Sequence, residues 1–463
     1  MPQAAIKTTG PTPWTLVREL IRLGAFVGGI GVVVYAGWHF NQYRFQAPPG
    51  LVQMLPPSLP GAPQADCGAL MVGGRLTVVE MLYSDEKQAW IEQAAELFSR
   101  RCPNIQVRLT AMDDFAAAHA IVTGTVRPTV WAPTDEIVVT SLVDRWAAVS
   151  TDPLFAADEP LSLVRSPLVL LLWDDRLRVL AAIRERTGAQ TGPWSQLCAG
   201  IRKDPPAPKI EYTAPFPSLA EIAGWGHVKI GHSSPTRSAA GLEAIYLMAY
   251  DYLVAPAARG DDDDASDGFS EGAVRSSAAS EATFRAALDA QQGELGRWMA
   301  RCEGGLVSDP DSAALLTDTM FHVGGERYDG VATYEHLVFP ILDRLDGNDD
   351  VMDNVTVVYP RTTIVNKHPA MLLADGDEAA REAARKWLAF LRSAEMQRRA
   401  IEFGFRPADP EVKIRDHHVD ANPFLRHRRY GIAFSGPLRE PPRLDGARVN
   451  LLIELWRDAT GRN

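Results

Sequence analysis

Beyond residue 75 the chain alternates short β-like runs with apolar residues at helical spacing. Leu76 to Met81 reads as a strand, and Trp90, Ala94, Leu97 and Phe98 recur at helical intervals between Glu86 and Arg100. Asp85 and Gln88 stand at capping-box spacing before that helix. Ile105 to Thr110 and Thr129 to Trp131 repeat the strand pattern. A helix opens at Asp113 between them, and Thr134 to Trp146 reads as another. This order predicts an α/β fold with a parallel sheet covered by helices on both faces. Ligands of such sheets sit at the carboxyl ends of the strands. Those ends carry Ser84 and Asp85 on one strand, and Trp131 and Thr134 on another. Trp131 reads either as a ligand contact or as a core aromatic.

Ser166 to Trp173 is a long apolar strand of the kind that crosses between lobes, and Asp174 to Gly330 reads as a second unit. Within it Val228 to Ile230 is β-like and leads into Ser233, Ser234, Thr236 and Ser238, where an apolar helix to about Leu253 begins. Ser234 is the expected N-cap and Pro235 the first helical residue. A helix start presents unpaired N–H groups and partial positive charge, which suits a polar or anionic ligand. The same residues also read as an ordinary cap. Val331 to Glu335, Val355 to Tyr359 and Thr363 to Val365 supply later strands. Glu378 to Phe403 reads as a helix broken near Ser393 and stopped at Gly404, and Arg448 to Trp456 as a final amphipathic helix.

Leu23 to Phe40 is an uncharged run just long enough to span a bilayer of about 30 Å. Lys7, Arg18 and Arg22 precede it, so the positive-inside rule leaves the N-terminus cytoplasmic and the main domain outside the cell membrane. A cleaved signal peptide, cut near Ala36, is the alternative. The expected organisation is a cytoplasmic N-terminus (1–22), a single transmembrane helix (23–40) and a Pro-rich extracytoplasmic linker (41–75). The first part of lobe one (76–165) follows, then lobe two (166–330) with an acidic insertion (260–280), then a return to lobe one with the C-terminal tail (331–463).

The net charge of −11, with no basic stripe, argues against nucleic acid. The four cysteines Cys67, Cys102, Cys198 and Cys302 form no CxxC pair, so a zinc site lacks support. Outside the membrane an even number suggests two disulfides. Cys67 with Cys102 is preferred, because each precedes a predicted strand, and this leaves Cys198 with Cys302; four buried thiols are the alternative. Gly268 to Gly272 matches GxSxG around Ser270, but no strand precedes it, as a nucleophile elbow requires. HExxH, P-loop and GxGxxG motifs are absent. No catalytic residue, metal ligand or cofactor is assigned, and the chain is read as not an enzyme. His232 reads as a ligand contact or a satisfied polar residue, and Glu335 as a ligand-contact or hinge residue.

From about Leu76 onward the chain resembles bacterial extracellular solute-binding proteins of the type II periplasmic-binding fold. It is most similar to the group associated with von Willebrand factor A domain proteins. The resemblance rests on Thr129 to Pro133, His232 to Leu242, Val331 to Glu335, Val357 to Pro360 and Phe403 to Pro410, with Asn422 to Phe424 and Leu452 to Trp456 in the tail. It implies two α/β lobes joined by crossings near Ser166–Trp173 and Val331–Glu335, and a ligand cleft that closes by hinge motion. By motif position Ser84, Asp85, Trp131 and Thr134 would face the cleft from lobe one, and Ser233, Ser234, Thr236 and Ser238 from lobe two, with Tyr334 at the hinge. The implied function is binding of a small polar solute for transport or sensing, with a transporter, a receptor or a von Willebrand A protein as partner. The competing expectation is a ligand-independent interaction or scaffold module on the same fold. No lipobox cysteine follows the apolar run and no von Willebrand A metal motif is present.

Overall fold

The computed structural model describes residues 76–187, 194, 229–254, 274–275, 278–304, 311–346, 355–436 and 438–462. The apolar segment 23–40, the linker, Asp261 to Asp264, the GxSxG segment, Cys67 and Cys198 lie outside these residues. Among the described residues no helix is long and apolar enough to cross a membrane. Cys102 and Cys302 are both buried, and neither is a free thiol.

The first sheet is built from β1 (Thr77–Tyr83), β2 (Ile105–Ala111) and β3 (Val130–Ala132). Both β2 and β3 lie parallel to β1, with Met81 opposite Leu109 and Val130. Helices α1 (Gln88–Arg101), α2 (Asp114–Val122) and α3 (Glu136–Ala147) connect and flank them. Val79, Met81 and Tyr83 alternate into a core with Trp90 and Phe98 of α1. The expected capping box is not formed. Asp85 to Lys87 make a 3-10 turn ahead of α1, Lys87 takes the N-cap place, and the Gln88 side chain donates to Glu92 instead. At α2 and α3 the aspartates Asp113 and Asp135 do cap, accepting backbone N–H groups.

The strand β4 (Leu161–Ser162) is the last piece of the first sheet before β5 (Val164–Trp173) begins the second. β5 is buried along almost its whole length because neighbours pair on both of its sides. After α4 (Asp174–Thr187) come β6 (Ile230–Gly231), α5 (Ala239–Leu253), β7 (Val274–Arg275), α6 (Ala278–Ala290), α7 (Gln292–Glu303) and α8 (Ala313–Val323). β8 (Gly330–Tyr334) runs antiparallel to β5, with Tyr334 opposite Leu168. Helix α9 (Glu335–Asp346) follows, then β9 (Val355–Val358) and β10 (Val365–Asn366), both antiparallel to β5.

Val331 to Glu335 is therefore not a crossing, since β8 lies inside the second sheet. The return happens between β10 and β11 (Pro369–Leu372), which inserts antiparallel between β3 and β4. The first sheet is mixed rather than wholly parallel. Its returning strand needs no crossover helix, because it arrives from the far end. α10 (Glu378–Leu391) and α11 (Ala394–Glu402) form the expected broken helix, with Ser393 capping the second part, and Gly404 turns the chain at φ +80°. β12 (Arg406–Pro407), α12 (Pro423–Arg426), β13 (Arg439–Glu440) and α13 (Gly446–Thr460) complete the chain. α13 packs on α3 of the first half and on α7 of the second. Its Asn450 accepts from Ser141 at 2.6 Å and donates to Asp144 at 2.8 Å.

Two buried polar features tie the crossings together. Arg406 donates to both oxygens of Glu335 at 2.6 Å, and to the Ala433 carbonyl at 2.6 Å, while Tyr359 donates to the same carboxylate. Glu335 is thus a structural anchor at the start of α9. Next to it, His336 bonds Ser166 Oγ at 2.9 Å and stacks on Phe405 with ring centres 4.3 Å apart. Burial, helped by the Lys87 charge, pushes the His336 imidazole down to about 3.

Removing one partner of a buried ion pair costs about 3–5 kcal/mol, so Glu335→Gln is expected to lose that much in urea unfolding. A loss below about 1 kcal/mol would remove the pair from its anchoring role. For His336, an unfolded histidine titrates near about 6.5. Below that pH the unfolded chain takes a proton that the folded chain refuses, so stability holds above it and falls as pH drops toward 3. Between about pH 7 and about pH 4.5 this residue should cost roughly 2–3 kcal/mol, a decline that His336→Gln removes. Equal declines in both proteins would place the proton elsewhere.

Candidate functional site

Where the halves meet, a cavity of about 1200 Å³ opens. Asp85, Asp113, His119 and Arg145 line it from the first half, and Thr236, Arg237 and Asp311 from the second. Asn450, Ile453, Glu454 and Arg457 of α13 form a third wall. Asp85 and Thr236, two of the sequence-predicted contacts, reach this space. Arg237 joins them, but its guanidinium already holds Asp311 at 2.7 Å.

The other seven predicted residues lie beneath the surface, and most have partners. Ser84 is buried and accepts from the Lys87 ammonium. Thr134 donates its N–H to Asp114 at 3.1 Å and its hydroxyl to Glu86 at 3.3 Å. Ser233 donates to Ser238 at 2.9 Å, and Ser234 bonds Thr236 at 3.0 Å. Trp131 is fully buried and stacked on Phe155 at 6.2 Å, which makes it a core aromatic. Tyr334 donates to Glu243 at 3.1 Å. His232 bonds Glu303 at 3.1 Å and is a satisfied polar residue.

The helix expected to start at Pro235 starts four residues later. Pro235 to Arg237 form a turn closed by Ser238 N–H on the Ser234 carbonyl at 2.8 Å. Ser238 is the N-cap in extended conformation, with its side chain turned to Ser233 rather than to the helix. The reason lies at Gly241. A Cβ there would sit 2.1 Å from the Ser233 carbonyl, so the first turn of α5 presses directly on the Ser233–Ser234 backbone. The hydroxyls fold back over the helix and bond each other.

Under the cavity runs a layer of carboxyl groups that motif reading missed. Glu86 and Asp114 face the Lys87 ammonium, while Asp135 and Glu243 lie close to each other. Burial raises Asp135 to about 7 and drives Glu243 well above the carboxylate range, with the nearby Asp135 adding to it. Burial lowers Lys87 to about 8. Glu243 accepts from Tyr334 and from Asn366 Nδ2, both at 3.1 Å. One signal was present in the sequence. Glu243 is the only charge in the otherwise apolar first ten residues of α5, and a lone carboxyl in a buried helix must have partners. Among the described residues no three His, Cys, Asp or Glu side chains are placed to share a metal ion.

A family model for bacterial extracellular solute-binding proteins matches residues 79–406. No curated protein sequence matches the chain. Among solved structures, the ferric binding protein from Campylobacter jejuni is 10% identical, with a TM-score of 0.49 over 82% of this chain and 99% of that one. The sulfate-binding protein SubI from Mycobacterium tuberculosis H37Rv is 15% identical, with a TM-score of 0.43 over 81% and 96%. Apo FutA2 from Synechocystis PCC6803 is 14% identical, with a TM-score of 0.46 over 84% and 100%. With two sheets joined at β4–β5, β10–β11 and β11–β12, and with the family match running from β1 to β12, the chain belongs to the bacterial extracellular solute-binding proteins.

Proposed function

We propose that this protein binds a small polar solute in the cavity between its halves, in the service of transport or sensing. The carrying observation is that one cavity of about 1200 Å³ is lined by Asp85 from the first half and by Thr236 and Arg237 from the second. Two-sided lining is what allows a ligand to hold two lobes closed. The five carboxylates and three arginines of its walls suit a ligand with polar groups of both signs. Segment 23–40 is proposed as the membrane anchor, with residues 1–22 cytoplasmic and the body outside. The proposed disulfides are Cys67–Cys102 and Cys198–Cys302. A transporter, a receptor or a von Willebrand A domain protein is the proposed partner. A ligand-independent interaction module is the second reading. It is favoured by the hydroxyls of Ser233, Ser234, Thr236 and Ser238, which already satisfy one another.

A thermal-shift screen of amino acids, polyols, peptides and organic ions tests the first reading. Ligand at about 100 times its Kd adds about 2.7 kcal/mol, so a hit should raise Tm by several degrees. Asp85→Arg should weaken that hit at least about tenfold, the scale of a lost charged contact. A screen without hits, together with membrane capture of one partner by both wild type and Asp85→Arg, would establish the second reading. Non-reducing peptide mapping after proteolysis checks the disulfides; any peptide linking Cys67 to Cys198 or Cys302 overturns the pairing.

A further inference from the structure

A second, smaller cavity of about 100 Å³ lies apart from the lining of the first. Asp135 and Tyr246 line it, with Ile137, Ile364, Val365 and Leu444 supplying apolar wall. Asp135 is 7% exposed, and one of its oxygens takes the Ile137 N–H at 2.8 Å. The Tyr246 hydroxyl is buried and has no hydrogen-bond partner among the described residues. A buried hydroxyl left without a partner is unfavourable, and a ligand in the cavity would offset that cost. Near Asp135 stands Glu243, and the fully buried Asn366 that donates to it has an Oδ1 with no donor. The surroundings are therefore short of hydrogen-bond donors. The two cations at the cavity are already engaged: Arg443 holds Glu136 at 2.6 Å and Lys367 faces Glu440 at 3.8 Å.

We propose that this cavity receives the ammonium end of a small primary amine, seated on Asp135 and the Tyr246 hydroxyl, with its alkyl stem against Ile137, Ile364, Val365 and Leu444. The inference goes beyond the solute-binding reading, because it concerns a cavity whose lining is separate from that of the larger one. An ammonium supplies three donors and a charge opposite to that of Asp135. A carboxylate ligand would meet Asp135 and Glu440 instead, and a metal ion lacks a three-residue donor set among the described residues. Size follows from volume: a cavity of about 150 Å³ accommodates benzene, so this one suits a stem of a few carbons. Burial and the nearby Glu136 and Glu440 charges raise Asp135, and Lys367 offsets them only in part.

Isothermal titration calorimetry on the full chain, with propylammonium, propionate, 1-propanol and hexylammonium as probes, tests the site. Propylammonium alone is expected to bind. Asp135→Asn should weaken it at least about tenfold while keeping the α3 cap, because asparagine caps as well as aspartate. Tyr246→Phe should weaken it about three- to tenfold, the scale of one hydrogen bond. Absence of propylammonium binding, equal binding of propionate, or full affinity in Asp135→Asn would each overturn the assignment. Each of those results leaves the larger cavity to its own test, which is scored on Asp85→Arg.

Discussion

The bidentate contact between Arg406 and Glu335 is the constraint that fixes the chain where it re-enters the second sheet. It joins the strand that follows the α10–α11 helices to the first residue of α9, in a place closed to water. In low dielectric such a pair is stable only with ideal geometry and full hydrogen bonding. The pairing is bidentate, and Tyr359 and the Ala433 carbonyl take up further groups of the pair. Its position has consequences on either side in sequence. Tyr334 is directed to Glu243 and His336 to Ser166, so one ion pair registers the end of β8, the start of α9 and the near end of β5.

The carboxyl layer runs against the economy of the rest of the interior. Elsewhere the core is Leu, Val, Trp and Phe packed on β1 and β5. Here Glu86 and Asp114 share Lys87, Asp135 and Glu243 stand beside each other, and burial pushes all four carboxyls upward. Polar groups kept at such cost in a fold built to hold a solute belong to function more naturally than to packing.

Element types along the first sheet were readable, because the β-like apolar run of β1 and the helical spacing in α1 leave distinct patterns. The break at Ser393 and the stop at Gly404 were readable for the same local reason. What could not be read was set by distant contacts. The start of α5 depends on Gly241 meeting the Ser233 carbonyl, and the hydroxyls turn inward because of it. The true return crossing depends on which neighbour β11 finds, a long-range pairing with no local signature. Asp85 and Thr236, expected at the cleft, line the larger cavity, while Asp135 and Tyr246 of the smaller one carried no motif that would single them out.

The place of β11 also orders the events of synthesis. β3 is complete by Ala132, yet its neighbour on the far side is Pro369–Leu372. As the chain leaves the ribosome, the first three strands therefore form a parallel sheet with one open edge beside Trp131. That edge stays unpaired while the whole second half is made, a long loop to close and an exposed template in the meantime. Completion of the first sheet must wait for the second, so the halves mature together although each has its own sheet.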